Sequence, residues 1–521
     1  MGATQADGPL VVAVDTSTTA TKAVVVDPAG RALSTGRSDI PLHTPAPGFY
    51  EHDPRDWWRT TDEAVRAALA GLGGADRSRV AAMCVTGQRQ SFGLFRSDGE
   101  PIRRGPLWLD GRAADQVVRY GSEAVHRLSG MPPDVTPSLY KLAWLKENEP
   151  ESLRAADKVV GVHGYLTFRL TGQWLDSTAT ADSLGLFDMA RLDFADVLLD
   201  IAGVSPDQMA TLVEAGAVMG QVRAEIVERW GLSGPVPLVA GCGDGQAAGL
   251  GAGAIGPDEA YLNLGTAVVM GVHSSAYRCG EVYRTDAAGL PGHYVLEAVQ
   301  NSGAYLAGWF RENLGDPALA GEPDPRLDAQ AAEAGIGAAG LVALPYWNAA
   351  QSPYWDPLAR GAIVGFTGAH GRGHVYRAIL EGVSLEAARN LRGMERDTGT
   401  PVSKVLVMGG GQRSPLWRQI MADAIGIPLV SCEVEEISAL GAAIMAMSVT
   451  GAHSPAPDIA RSARAMARPG AVHEPDPAAH RRYLEVGELQ EELYSRLKDL
   501  FPRLHADAAK RSHADPAPIG R

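Results

Sequence analysis

The chain has 521 residues, enough for about three domains of ordinary size or for two large ones. Hydrophobic residues make up 45% and charged residues 21%, which provides for packed cores and excludes wholesale disorder. A formal net charge of −14 argues against nonspecific nucleic-acid or anionic-membrane binding, both of which need clustered basic charge.

No apolar run reaches the ~18 residues of a spanning helix, and Met1 to Pro9 has neither a basic start nor an apolar stretch. The expectation is a cytoplasmic protein with no membrane or nucleic-acid partner; a homodimer is an open expectation. Cys84, Cys242, Cys279 and Cys432 lie far apart, with no CxxC pair and no metal spacing, so they read as reduced thiols.

Leu10 to Val14 is a continuous apolar run and predicts a buried strand. It stops at Asp15-Thr16-Ser17-Thr18-Thr19, and a returning β-branched run, Ala23 to Val26, closes at Asp27-Pro28-Ala29-Gly30. The result is a hairpin whose turn is unusually rich in hydroxyls. An amphipathic helix follows over about Pro54 to Leu69, then a strand over Val80 to Thr86 and an extended segment near Leu94-Phe95. Helix signals dominate from Ala113 to Leu170.

The opening pattern recurs. Val236 to Gly241 predicts a strand running into Cys242-Gly243-Asp244-Gly245, and Gln246 to Gly256 reads as a helix and a connection. Ala260 to Leu264 is an apolar strand, Gly265-Thr266-Ala267 its small-residue turn, and Val268 to Val272 the return. Two strand–turn–strand units, one per half, predict a duplicated core with its seam near residues 250–260. Further on, the spacing predicts a long helix over 375–396 and a strand, Val405 to Met408, that ends in Gly409-Gly410-Gly411. Ser414 and Pro415 read as the N-cap and first position of a helix over Leu416 to Ile425. Gly315 to Pro325 reads as a loop or insertion, and the polar tail from about His505 as frayed.

Four of these places carry chemistry. Backbone N–H groups and hydroxyls of the Thr16–Thr19 turn can wrap phosphate oxygens, and Lys22 adds a point charge; the alternative is an ordinary polar turn. Asp15 would repel phosphate unless a divalent cation lies between them, so it reads as reaching Mg²⁺, directly or through water. Gly265-Thr266 gives the second turn similar equipment. Gly409-Gly410-Gly411 leaves backbone bare for a planar ring, in the crevice where open α/β sheets place ligands, or else makes a tight turn with no ligand. Asp244, at a strand's carboxyl end where a helix should begin, reads as an ionised base or as a helix cap.

In combination these segments resemble the FGGY carbohydrate kinases. Asp15 to Lys22 looks like that family's first phosphate motif, Val239 to Gly249 its catalytic-aspartate segment, Leu264 to Ala267 its second phosphate motif and Gly409 to Gly411 its adenosine motif. Ser138 to Asn148 matches one family signature except at Thr136, and Gly361 to Gly365 with His374 to Glu381 matches the other except at Phe366. The resemblance covers roughly residues 10–450 and implies an α/β chain of two actin-like ATPase (ribonuclease H-like) domains flanking a central cleft. It implies an N-terminal domain over 8–255, a C-terminal domain over 256–455, and a helical extension and tail over 456–521.

The resemblance further implies ATP and Mg²⁺ as cofactors and a small sugar or polyol as substrate. Asp244 would be the general base, and Asp15 and Asp244 the carboxylates linked to the metal. Thr18, Thr19, Lys22, Gly265, Thr266, Gly303, Gly410, Gly411 and Ser414 would hold the nucleotide. Ser17 stands where the family usually has glycine. Arg89, Gln90, Trp108, Asp110 and Gln246, with Asp244, would contact the acceptor. Trp108 could instead be plain core and Asp110–Arg112 a structural ion pair. The Met-His pair of xylulose kinases is missing beside Arg89, and Gln90 replaces the glutamate of glycerol kinases, which also carry a tyrosine near Thr136. A pentulose such as xylulose is favoured over glycerol or another short polyol. The expectation from a different class is an actin-like, nucleotide-dependent sugar-binding regulator with little turnover.

Overall fold

The apolar run at the chain's start forms a buried strand, β1 (Leu10–Thr16), which pairs antiparallel with β2 (Ala20–Val26) so that Asp15 faces Lys22. The computed structural model describes residues 8–319 and 324–514. β3 (Ala32–Asp39) continues the meander, while β4 (Val80–Gly87) lies parallel to β1 and β6 (Pro237–Val239) parallel to β4. With β5 (Val218–Gln221) on the edge, the first sheet has the order β5-β6-β4-β1-β2-β3.

The second half repeats this connectivity. β7 (Glu259–Leu264) and β8 (Val268–Ser274) form the antiparallel hairpin, with β10 (Tyr294–Gln300) as its third strand and β9 (Arg284–Ala287) beyond. β11 (Lys404–Met408) and β12 (Leu429–Cys432) add the two parallel strands, and β13 (Pro469–His473) closes the edge, giving β9-β10-β8-β7-β11-β12-β13. In both sheets a three-stranded meander is extended by two parallel strands on the side of its first strand. This bears out the expected duplication, and it sets Asp15 and Asn263 at matching places, one residue before the ends of β1 and β7.

Strand alternation divides the cores. Leu10, Val12 and Val14 face one way, onto Trp57 and Val65 of α1 (Pro54–Ala70). Val11 and Ala13 face a central core shared with α3 (Asp244–Ala252) and α6 (Ile437–Ser448), α2 being Ser138–Asn148. The far side of the second sheet packs on α4 (Arg372–Thr398) and α5 (Pro415–Ile425) through Ile379, Val383 and Ile420. α3 and α6 cross so closely that a Cβ on Gly441 would lie 1.9 Å from the Ala247 carbonyl oxygen, so only glycine permits the contact.

Two expectations need correction. The tail from His505 is not frayed at its start: after α7 (Pro477–Leu497), α8 (Phe501–Ala514) is helical, and residues 515–521 lie outside the described residues. Within the loop expected over Gly315–Pro325, Pro317–Leu319 form a 3₁₀ turn and a helix begins at Pro325; residues 320–323 lie outside the described residues. All four cysteines are free thiols.

Candidate active site

Ser17 builds the first turn. Its hydroxyl donates to the Ala20 carbonyl at 2.8 Å and accepts from the Ala20 amide at 3.3 Å, so serine closes the loop with side-chain bonds. Thr18 then faces the cleft and Thr19 is exposed. At the end of β1, Asp15 has one carboxylate oxygen, Oδ1, buried without a hydrogen-bond partner among the described residues. Burial, and then the nearby Asp244 charge, push its pKa up to about 7.

Asp244 opens α3, where the N-cap residue is Gly243. Its Oδ1 accepts from the Gly245 amide at 2.9 Å, and among the described residues no hydrogen bond holds its second oxygen. The carboxylate is exposed within the cleft, where desolvation by the surrounding walls raises its pKa, with Arg89 opposing. Gly245 lines the cleft too, for a steric reason: a Cβ there would sit 2.5 Å from Glu297 Oε2, which enters from β10 of the other sheet.

The cleft, ≈ 260 Å³, collects Thr18, Trp108, Asp244, Asn263, Arg284 and Glu297 from both halves of the chain. Arg89 and Gln90 line it as expected. Arg89 crosses to the second sheet, with Nη2 2.8 Å from Asp286 Oδ1 and Nη1 3.7 Å from Asp182 Oδ2. Burial alone would lower the pKa of this guanidinium, but Asp286, Asp182 and Glu297 raise it overall. Gln90 adopts a left-handed backbone (φ 61°) that its residue type rarely takes, and its amide donates to Ser183 Oγ. Trp108 is partly exposed and donates from Nε1 to Thr18 Oγ1 at 2.9 Å, so it is not plain core.

Two expected acceptor contacts are turned elsewhere. Asp110 is fully buried and accepts from Arg112 Nε (2.7 Å) and the Tyr50 amide (2.6 Å), the structural ion pair its neighbour offered. Gln246 is buried on α3 and donates to the Ala287 carbonyl. Neither lines the cleft.

On the side expected to hold the nucleotide, the Gly265-Thr266-Ala267 turn rests directly on Gly303, whose amide donates to the Thr266 carbonyl at 2.9 Å while the next amide donates to the Gly265 carbonyl. Thr266 is exposed. A second groove, ≈ 580 Å³, runs past Gly409, Gly410, Arg413 and Arg418 to Lys22 and Glu436. A Cβ on Gly410 would meet open space, whereas one on Gly411 would strike Leu264. Lys22 is paired with Glu436 at 2.7 Å. Ser414 is the N-cap of α5, as its sequence predicts: Oγ accepts from the Trp417 amide and donates to Asp328, away from the groove.

Arg284, Glu297, Asn263 and Ser438 line the cleft but went unread in the sequence. A signal existed for Glu297, a lone charge inside the buried strand Tyr294–Gln300. It is held by Arg284 Nε (2.9 Å) and Tyr261 Oη (2.9 Å); burial would raise its pKa, but Arg284 and Arg89 hold it below the ordinary value. Arg284 also donates to Gln90 Oε1 at 3.3 Å, tying the two halves at the cleft floor. The arrangement offers a carboxylate with a free oxygen, paired donors and acceptors for hydroxyl groups, and two small-residue turns facing one space.

Comparison with known proteins agrees with that layout. The model of the FGGY family of carbohydrate kinases, N-terminal domain, matches residues 10–251, and that of the C-terminal domain matches residues 260–449. A xylulose kinase of Escherichia coli (strain K12) is 30% identical over 424 residues, 80% of this chain and 85% of that protein. A glycerol kinase of Bordetella parapertussis is 31% identical over 468 residues, 85% and 89% respectively. The crystal structure of ligand-bound xylulose kinase from Lactobacillus acidophilus superposes with a TM-score of 0.88 at 26% identity, covering 95% of this chain and all of that one.

Proposed function

We propose that this chain, which belongs to the FGGY family of carbohydrate kinases, transfers the terminal phosphoryl group of ATP to a primary hydroxyl of a pentulose such as xylulose. The observation that carries the reading is Asp244, whose free carboxylate oxygen opens into a cleft lined by both hairpin turns. The similarity to xylulose kinases in sequence and in structure supports a pentulose. Glycerol or another short polyol is the second reading, supported by a glycerol kinase that is as similar in sequence.

In this reaction Asp244 accepts the proton of the acceptor hydroxyl as its oxygen forms the new bond to the γ-phosphorus and the bond to the β,γ-bridging oxygen breaks, releasing ADP. Its raised pKa brings the base closer to the working pH while keeping it ionisable. In this reading Thr18, through its hydroxyl and backbone amide, and the second turn beside Ala267 serve the phosphate oxygens, and Lys22 adds charge once it exchanges Glu436 for phosphate. Arg89, Gln90 and Glu297 orient the acceptor, and the bare backbone at Gly410 receives the adenosine.

Mg²⁺ fits the residues present. Asp15 keeps a buried oxygen without a partner among the described residues, and its carboxylate and that of Asp244 repel each other, a repulsion that a cation relieves. Mg²⁺ retains waters and needs few carboxylates, in keeping with the lack of any cluster of three metal-ligating side chains among the described residues. Asp15 and Asp244 would hold it, and when bound it supplies positive charge against the phosphoryl oxygens.

The test is ADP release by the purified chain against a panel of ketoses and polyols. Xylulose should support the highest kcat/KM, and ATP consumption should depend strictly on the acceptor. Turnover confined to glycerol would favour the second reading, and none with any acceptor would overturn both.

A further inference from the structure

Lys141, on the first turn of α2, is a fully buried lysine that faces no carboxylate within ion-pair distance among the described residues. Its ammonium donates to two backbone carbonyls, Val135 at 3.0 Å and Thr136 at 2.5 Å. Such a group is costly. Desolvation penalises a buried unpaired cation, and a positive charge near a helix N-terminus opposes the helix dipole. Burial brings its pKa down to about 7, with the more distant Asp110 and Asp134 pulling the other way.

The two carbonyls explain what the charge does there. Thr136 lines the cleft on the acceptor side, and its own hydroxyl makes no hydrogen bond to protein among the described residues. Its amide donates to Asp134 Oδ1 at 2.8 Å. The peptide groups on both sides of Thr136 are therefore fixed, the carbonyl by Lys141 and the amide by Asp134, in a segment that Pro137 separates from the helix. Loss of the proton from the ammonium would still leave two N–H donors for the two carbonyls.

We propose that Lys141 is a positioning residue for acceptor recognition: with Asp134 it clamps Thr136 so that the free hydroxyl stands at a fixed place in the wall of the cleft. This rests on the kinase reading above and adds a determinant of acceptor affinity to it. No step of the phosphoryl transfer passes through Lys141.

The test compares Lys141→Met, Thr136→Val and the double variant in the full chain, with acceptor and ATP each titrated at saturating concentrations of the other. Lys141→Met should raise the KM for acceptor at least tenfold while kcat and the KM for ATP stay within about threefold. Thr136→Val should raise the acceptor KM as well, and the double variant should fall well short of the product of the two single effects. Asp134→Ala removes only the clamp on the amide, at a half-buried position that tolerates change should Lys141→Met not fold, and should raise the acceptor KM at least threefold. An unchanged acceptor KM in folded Lys141→Met or Asp134→Ala overturns the proposal, as does a parallel rise in both KM values. Calorimetric titration with xylulose reads the clamp separately from turnover: a wild-type chain that binds xylulose without consuming ATP refutes the kinase reading alone.

Discussion

Trp108 donates from its indole Nε1 to the hydroxyl of Thr18 at 2.9 Å. The ring lines the cleft proposed to take the acceptor, and the hydroxyl belongs to the first hairpin turn, proposed to hold phosphate, so on this reading one bond joins the two substrate sites. Trp108→Phe keeps an aromatic face and removes the donor. Steady-state assays should find kcat lowered about tenfold, in line with one lost charge-positioning hydrogen bond of about 1.4 kcal/mol in the transition state. Acceptor KM should change less than kcat. A variant that loses acceptor affinity alone would show that the ring packs on the acceptor without ordering the turn.

The Asp15 carboxyl makes stability depend on pH in a direction opposite to that of most paired carboxylates. Its folded pKa, about 7, exceeds the ordinary 3.8, so between about pH 4 and pH 7 the folded chain binds more protons than the unfolded chain. This contribution to stability is full at the acid end and is lost as pH rises through that window. Thermal melts of the ligand-free chain should decline from Asp15 across it, and Mg²⁺ at pH 7.5 should raise the melting point. Asp15→Asn should flatten the decline and abolish the response to Mg²⁺. A variant that still responds fully to Mg²⁺ would remove Asp15 from the metal site.

Gly441 permits the crossing of α3 and α6, with Asp244 at the start of α3. Gly441→Ala forces a methyl group to within 1.9 Å of a backbone oxygen. Overpacking of this kind costs about 3 kcal/mol, so the denaturation midpoint should fall markedly. Gly74→Ala, where a Cβ meets open space, is the control and should change little.

Lys22 and Glu436 are each about one-third exposed, 31% and 29%, so their 2.7 Å pair contributes at most about 1 kcal/mol to stability. Glu436→Gln should therefore melt like wild type while lowering the KM for ATP about two- to fivefold, because Lys22 is freed for phosphate. Lys22→Met should raise that KM at least tenfold. A higher KM for ATP in Glu436→Gln would mean that the carboxylate itself serves the nucleotide.

What could be read in the sequence is what local pattern dictates. The two hairpins announce themselves because β-branched runs stop at small polar residues, and Ser414-Pro415 marks a helix start because capping is settled within four residues. Asp244 is legible as an acid among glycines at a strand end. The rest depends on where distant segments meet. Asp110 has the chemistry of a sugar contact, but Arg112, two residues away, and the Tyr50 amide claim both its oxygens. Glu297 reaches the cleft only because Gly245, some fifty residues earlier and in the other half, has no side chain to block it. The polar stretch from His505 reads as a frayed tail, although a helix that starts at Phe501, one 3₁₀ turn beyond the packed end of α7, carries through it to Ala514.

The most direct test of the account is ADP release by Asp244→Asn with saturating ATP, Mg²⁺ and xylulose, alongside calorimetric titration of the same variant with nucleotide. The isosteric amide keeps the hydrogen bond from Gly245 but cannot take a proton. Nucleotide affinity within about threefold of wild type, together with kcat reduced a thousandfold or more, is the expected result. Turnover within tenfold of wild type would contradict the assignment of Asp244 as the base.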